Sequence, residues 1–144
     1  MDAGERASLS LRLILRLFQT TRTKESLMSD SILQGGSTVL DPEAGQVTIV
    51  NTYVVEPERA DELISFLVES TLSTVRHVPG FISANLHIAH DRSQVVNYAQ
   101  WQNVEALAAA RENPKLAALM QKQLQIAKSF SPVLYTLKAS ISAG

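Results

Sequence analysis

The order of elements expected along this chain of 144 residues is strand, helix, strand, strand, broken helix, strand, which predicts an α+β, ferredoxin-like βαββαβ domain. Two observations carry this prediction. Runs rich in β-branched residues alternate with segments of helical apolar spacing, and Pro-Gly or Asn-Pro pairs separate them. Such an order gives an antiparallel sheet with helices on one face. Because the other face still carries apolar residues, we expect a second copy of the sheet to cover it, as in a homodimeric α/β barrel.

The first strand and the first helix are expected at the start of this domain. Residues 47–55 are rich in Val, Thr and Ile, which favour a strand. Pro57 is tolerated in a first helical turn, and the acidic residues around it suit the positive end of the helix dipole. Apolar residues then recur at helical spacing down to His77, and Pro79-Gly80 is expected to end the helix.

A hairpin follows, with strands expected at residues 81–89 and 94–101 and a tight connection between them. Asn103 is expected to cap a short helix that runs through residue 112.

The chain then continues with a second helix and a last strand. Asn113-Pro114 is expected to restart a helix that runs to about Phe130. Pro132 is expected to interrupt the chain, and residues 133–141 are predicted to form the last strand.

The composition excludes several classes of function. Cysteine is absent, which excludes disulfides, thiolate metal sites and a cysteine nucleophile. The 13 basic and 14 acidic residues balance and form no long run of one sign, which argues against a nucleic-acid partner. The most apolar N-terminal stretch, residues 9–18, is too short to span a membrane and contains Arg12 and Arg16. We therefore expect a cytoplasmic protein with no membrane partner.

Residues 1–45 are expected to be an extension, and residues 46–142 the domain itself. The Gly35-Gly36 pair is typical of linker and turn material. Polar side chains between residues 8 and 19 fall on one helical stripe among leucines, which indicates an amphipathic helix. Such a helix would pack on a partner subunit, touch a membrane surface, or be upstream sequence if translation starts at Met28. Membrane contact is disfavoured because two arginines provide little electrostatic attraction.

Polar side chains on the hairpin form a candidate site. Because side chains alternate between the faces of a strand, Asn97 and Trp101 share a face. If the turn centres on Arg92, His87 lies opposite Asn97, and Ser83 lies opposite Trp101. An imidazole, an amide and an indole would then share one covered face, where each unpaired polar group costs about 1–3 kcal/mol. The grouping favours a ligand-facing cavity and a polar core about equally, and a one-residue change of register would break it.

The same hairpin resembles a known protein family. Three parts of it are similar to the signature of the antibiotic biosynthesis monooxygenases, particularly the members that oxidise anthrones. These parts are Val78-Pro79-Gly80-Phe81, then His87, then Val95-Val96-Asn97-Tyr98-Ala99-Gln100-Trp101. The order of the predicted elements extends this resemblance over residues 46–142. It implies a dimeric α/β barrel in which a cavity lies between the sheet and the helices of each subunit.

The resemblance also implies a chemistry that needs no metal, flavin or haem. A phenolic, anthrone or quinol-type substrate loses a proton, its anion passes an electron to O₂, and the resulting peroxide collapses to a quinone. Asn97 and Trp101 match the positions implicated in catalysis in that family. His87 matches a histidine of the same site, and histidine as a residue type suits the role of proton acceptor or relay near neutral pH.

Four further positions are expected to contact the substrate, namely Asn51, Phe81, Leu107 and Met120. Leu107 stands where some anthrone oxygenases have a tyrosine. Gln121, or Met120 if a one-residue gap is allowed, stands where they have an arginine. Because both of those residues are linked to proton movement in the family, the substrate or the proton route is expected to differ here.

Alternative functions stay open at this stage. The domain could be a non-catalytic dimeric barrel that binds a small molecule, or a quinol oxygenase acting on small redox-cycling aromatics. Haem degradation is disfavoured because Met120 and Ala110 stand approximately where a helix histidine and a second tryptophan are needed. A metal site is disfavoured because His87 and His90, three apart on a strand, face opposite ways.

Overall fold

The computed structural model describes residues 36–144, and their core is a four-stranded antiparallel sheet with the strand order β2-β3-β1-β4. The four strands are β1 (Val47–Val54), β2 (Phe81–Ile88), β3 (Gln94–Trp101) and β4 (Ser129–Tyr135). The three α-helices within residues 36–144 are α1 (Ala60–Ser73), α2 (Val104–Arg111) and α3 (Pro114–Ile126). The predicted ferredoxin-like α+β class is therefore confirmed. The amphipathic helix expected near the N-terminus lies outside the described residues.

The residues that begin and cap the helices place them largely where the sequence predicts them. A 3₁₀ turn at Pro57–Arg59 leads into α1, and another at Val75–His77 follows it. The Asn103 side chain accepts a hydrogen bond from the Ala106 N–H (2.8 Å) at the start of α2, and the Asn113 side chain accepts one from the Lys115 N–H (3.0 Å) at the start of α3. Among residues 36–144, no helix is long and apolar enough to cross a membrane.

The last strand begins earlier than its predicted position at residues 133–141. Helix α3 ends at Ile126, and the Lys128 N–H donates to the Val54 carbonyl (2.7 Å) as β4 begins. Pro132 therefore lies within β4, opposite Asn51, instead of interrupting the chain. An edge strand tolerates a proline because one of its sides needs no backbone donor, and β4 pairs with β1 alone.

The hairpin register also differs from the predicted one, by a single residue. Leu86, and not His87, lies opposite Asn97. The reason is the connection between β2 and β3. Ala89 and Gln94 pair across a four-residue loop, in which Arg92 has a φ of 66° and the Asp91 carboxylate accepts hydrogen bonds from Ser93. An even-numbered loop shifts the pairing by one residue relative to a turn centred on Arg92 and sends the side chains of residues 83–88 to the other face. Phe81 keeps its expected face because the register shifts between Phe81 and Ser83.

The core consists of two apolar clusters beneath the helices. One cluster contains Tyr53, Val55, Ala60, Leu63, Leu67, Val95 and Ala127, and the other contains Val47, Ile49, Ala99, Trp101, Leu107 and Ala110. On β1 and β3 the two clusters are separated by a single cross-strand pair, Asn51 opposite Asn97. The sheet is therefore apolar at both ends of this face and polar in the middle.

Gly80 lies between the 3₁₀ turn that follows α1 and the start of β2, and it packs closely against α2. Its φ is 88°, a left-handed conformation that favours glycine, and a Cβ there would overlap the Ala106 side chain. The Gly80 carbonyl accepts a hydrogen bond from the Gln102 N–H (2.8 Å), which fixes the start of β2 beside the end of β3.

We expect Gly80→Ala to lower the free energy of unfolding by roughly 2–4 kcal/mol, because the backbone strain and the overlap with Ala106 add together. Gly45→Ala is the matched control, since Gly45 also has a positive φ but a Cβ there meets nothing within 4 Å. It should cost roughly 1 kcal/mol, from strain alone. Urea unfolding of both variants measures the difference, and equal losses would refute a packing role for Gly80.

Candidate active site

A cavity of about 210 Å³ lies between the helix-covered face of the sheet and the helices. Its sheet side is lined by Ile49, Asn51, Tyr53, Phe81, Ala84, Asn97, Ala99 and Trp101. Its helix side includes Leu67, Ser70, Leu107, Arg111, Leu116, Leu119, Met120 and Gln123. The lining is mainly apolar with a few polar groups, a composition typical of small-molecule sites.

Asn51 and Asn97 are the central polar groups of this cavity. They are directly opposite each other on β1 and β3, so both side chains project from the same face. Both Oδ1 atoms are buried, and neither has a hydrogen-bond donor among the described residues. A buried acceptor without a partner costs about 1–3 kcal/mol, and such groups concentrate at functional sites. The two amides therefore present acceptors to whatever enters the cavity.

Trp101 forms the wall at the end of β3. It is 5% exposed and packs edge-on against Phe81, with ring centroids 5.5 Å apart. A β-bulge between Phe81 and Ser83 brings Phe81 opposite Trp101, although Ser83 pairs with Gln100 on the other face. Without this extra residue Phe81 would point away from the cavity.

The buried Tyr53 and the half-buried Gln123 form a polar pair at the opposite end. The Tyr53 hydroxyl donates a hydrogen bond to Gln123 Oε1 (3.0 Å), and burial raises the pKa of Tyr53 well above its usual value. The phenol is therefore a neutral donor at any physiological pH. Because this bond engages the carbonyl oxygen of the Gln123 amide, its N–H₂ group is left as a donor on the cavity wall.

Most of the expected site residues come together here, and one does not. Asn51, Phe81, Asn97, Trp101, Leu107 and Met120 all line the cavity. His87 does not: it is exposed and lies opposite Val96, on the other face of the sheet. The expectation that His87 shares a face with Asn97 and Trp101 is thus wrong, and the four-residue loop is the cause. Gln121 is exposed and is not part of the lining.

The lining residues that the sequence analysis did not predict include Tyr53, Arg111 and Gln123. Tyr53 follows Asn51 by two residues on β1, so strand alternation could have found it. Gln123 and Arg111 depend on how α2 and α3 lie over the sheet, which no local pattern specifies. The hydroxyl of Thr71, also on the wall, donates to the Leu67 carbonyl (2.7 Å) and is not free to donate to a ligand.

Comparison with known proteins agrees with this geometry. The family model described as "Antibiotic biosynthesis monooxygenase" matches residues 46–122. The chain is 42% identical over 77 residues to tetracenomycin-F1 monooxygenase of Streptomyces glaucescens, a match that spans 54% of this chain and 69% of the relative. The chain therefore belongs to the antibiotic biosynthesis monooxygenase family, and it is a monooxygenase.

Solved structures show the same fold. The monooxygenase from the ActVA-Orf6 gene of Streptomyces coelicolor, in complex with nanaomycin D, matches with a TM-score of 0.63 at 29% identity, over 72% of this chain and 96% of that one. SnoaB of Streptomyces nogalater, a cofactor-independent oxygenase, matches with a TM-score of 0.57 at 20% identity, over 67% and 97%. At 20% identity, the match to SnoaB shows a shared fold and nothing more.

The unpartnered amide of Asn97 gives a prediction about stability. Asn97→Leu should raise the free energy of unfolding by about 1–2 kcal/mol, because a side chain of similar shape replaces a buried acceptor that has no donor. Thermal or urea unfolding of the protein without ligand measures this change.

Asn85 on β2 is the matched control. It is also a mid-strand asparagine, but its Oδ1 accepts from Thr38 Oγ1 (2.7 Å) and its Nδ2 donates to the Tyr98 carbonyl (3.1 Å). Asn85→Leu should therefore lower the free energy of unfolding, by about 1–3 kcal/mol. If the two substitutions destabilise the protein equally, Asn97 is an ordinary structural residue.

Proposed function

We propose that this monooxygenase oxidises a phenolic, anthrone or quinol-type aromatic substrate with O₂ to a quinone, and that it needs no metal, flavin or haem. The observation that carries the proposal is the pair of buried, unpartnered amide oxygens of Asn51 and Asn97 inside an otherwise apolar cavity. Hydroxyl groups on a flat aromatic ring supply the donors that these oxygens lack, and the apolar walls suit the ring itself. The cavity volume favours a compact substrate, because pockets for drug-sized ligands are about 300–1,000 Å³.

For an anthrone, the reaction converts a ring carbon that carries two hydrogens, plus O₂, into a ring carbonyl plus water. For a phenol or quinol, one of the two hydrogens comes from the ring carbon and the other from a hydroxyl group. The substrate first loses a proton to give an electron-rich anion. This anion passes one electron to O₂, the two radicals combine to form a C–O bond, and the peroxide then loses water to leave the carbonyl. The oxidant is O₂, and the substrate supplies all of the electrons, so the protein need only bind, orient and stabilise.

The side chains of the cavity have distinct tasks in this proposal. The Asn51 and Asn97 carbonyl oxygens orient the substrate hydroxyls, and the amide N–H₂ groups and the Trp101 indole N–H are donors for the oxygen on which negative charge develops. Phe81 and Trp101 form an apolar wall around the ring and exclude bulk water, which strengthens each of these hydrogen bonds. Leu107 and Met120 complete the apolar surface on the helix side.

The proton route follows from the position of the histidines. None of His77, His87 and His90 lines the cavity, and no carboxylate does so among the described residues. We therefore propose that the substrate proton passes to water at the cavity mouth instead of to His87. The same observation argues against haem degradation, because a haem iron in this cavity would find no imidazole ligand.

Activity is expected to depend on Asn97 and Trp101. With dithranol as substrate and O₂ uptake as the measurement, Asn97→Ala and Trp101→Phe should each lower kcat/KM roughly 100-fold, because each removes a hydrogen-bonding group aimed at the reacting ring. Gln121→Ala is the control, since Gln121 lies on α3 but off the cavity wall. Turnover that survives both cavity substitutions unchanged would contradict the assignment of this site.

We further propose a homodimer in which two sheets pack through their outer faces, meaning the faces that carry Val50, Tyr98, Val133 and Tyr135. The helices cover the opposite face, and on the outer face Val133 is 43% and Tyr135 52% exposed. A two-fold axis would set this surface against its own copy and bury it on both subunits. A cytoplasmic location stays a prediction.

The dimer is tested by light scattering after size exclusion. Wild-type protein should have twice the chain mass of 15.8 kDa. Val50→Glu should give monomers, because it places a charge in the middle of the packed outer faces. Val104→Glu, at an exposed position on the helical side, should remain dimeric. A wild-type monomer would refute the proposed dimer without affecting the proposed chemistry.

A further inference from the structure

Arg111 is the one charged side chain among the described residues that line the cavity. It lies in the last turn of α2, four residues after the buried Leu107, and is itself exposed to solvent. Residues four apart lie on the same face of a helix. Because Arg111 both lines the cavity and is exposed, we infer that its aliphatic part continues the wall that Leu107 begins and that its guanidinium lies on the solvent side, at the mouth of the cavity.

No carboxylate among residues 36–144 forms a salt bridge with Arg111. Two other arginines are paired: Arg59 with Glu62, and Arg92 with Asp61. Glu112 follows Arg111 in the chain but does not line the cavity. The guanidinium at the mouth thus has positive charge that no side chain of the described region neutralises, and such a charge attracts anions to the opening.

A helix-capping role does not account for Arg111. The Ala109 carbonyl accepts a hydrogen bond from the Glu112 N–H, and the Ala110 carbonyl accepts one from the Asn113 N–H. The backbone therefore satisfies these two carbonyls of the last turn without Arg111, and the helix dipole adds only about 0.3–1 kcal/mol for a cation there. The Asn113 cap of α3 holds the same corner in place.

We propose that Arg111 binds an ionised carboxylate of the substrate, so that the substrate is an acidic aromatic compound. Its phenolic end would lie against Asn51 and Asn97 on the sheet, and its carboxylate would meet Arg111 at the mouth. A planar guanidinium can hold a carboxylate through two parallel hydrogen bonds, which fixes the ring in one orientation. This inference rests on the proposed function, because it assumes that the aromatic substrate occupies this cavity.

Binding is measured apart from turnover with probes that cannot be oxidised. Trp101 is the only tryptophan in the chain and lines the cavity, so quenching of its fluorescence reports occupancy directly. The probes are an anthraquinone carboxylate and the matching carboxamide. Wild-type protein should bind the carboxylate about tenfold more tightly, a preference that increasing salt reduces. In Arg111→Gln this preference should disappear, and in Arg111→Lys it should be partly retained.

Lys115→Ala is the matched control. It removes a positive charge four residues further along, at the start of α3, from a position that does not line the cavity. Lys115→Ala should keep the wild-type preference for the carboxylate probe, because we attribute that preference to direct contact with Arg111 and not to the overall positive charge of the region. A wild-type protein that binds both probes equally, or an Arg111→Gln variant that keeps the preference, would overturn the inference.

O₂ uptake separates this inference from the proposed function. Dithranol and a dithranol analogue with a ring carboxylate are compared as substrates, and Arg111→Gln should raise KM for the carboxylate about tenfold relative to dithranol while the ratio of the two kcat values stays constant. If both anthrones are oxidised but no carboxylate preference exists, Arg111 has no such role and the proposed function stands. If the preference in binding is present and neither compound is oxidised, the proposed function fails and the anion site remains.

Discussion

Antiparallel pairing of β1 with β3 sets Asn51 directly opposite Asn97, and the rest of the site is arranged around that pair. A sheet in which side chains alternate allows only every second residue of each strand to face the helices. The positions on either side of the pair on this face are apolar, from Val47 and Ile49 at one end to Tyr53 and Val55 at the other. The two amides are therefore enclosed by hydrocarbon, and none of residues 36–144 donates a hydrogen bond to their oxygens.

Holding two polar groups this way costs stability, which the two apolar clusters on either side offset. Each cluster ties one end of the sheet to a different part of the helical layer: Leu63 and Leu67 of α1 pack at one end, and Leu107 and Ala110 of α2 pack at the other. The cavity exists because the helices are supported at both ends and not in the middle. Stability and the space for a ligand thus have a common origin in the division of the core.

The two faces of the sheet have different tasks. Polar side chains on the outer face are largely satisfied within the chain: Gln100 donates to the Val39 carbonyl (3.0 Å), and Ser83 donates to Gln100 (2.9 Å). On the covered face the Oδ1 atoms of Asn51 and Asn97 have no hydrogen-bond partner within the described part of the chain. Since asparagines occur on both faces, residue type does not distinguish the site from the scaffold. The distinguishing property is whether a hydrogen-bond partner lies within reach.

The sequence by itself determined the element order, the fold class, the caps at Asn103 and Asn113, and the shared face of Asn97 and Trp101. All of these depend on local periodicity or on a single residue's backbone preference, which neighbours in the chain decide. Only the tertiary structure decided that His87 points away from the cavity, that Pro132 lies within an edge strand, and that Arg111 and Gln123 line the wall. The direction of His87 depends on one residue of loop length, and the place of Pro132 depends on which strand lies at the sheet edge. The positions of Arg111 and Gln123 depend on how the helices cross the sheet. Those are contacts between distant segments, and no local pattern encodes them.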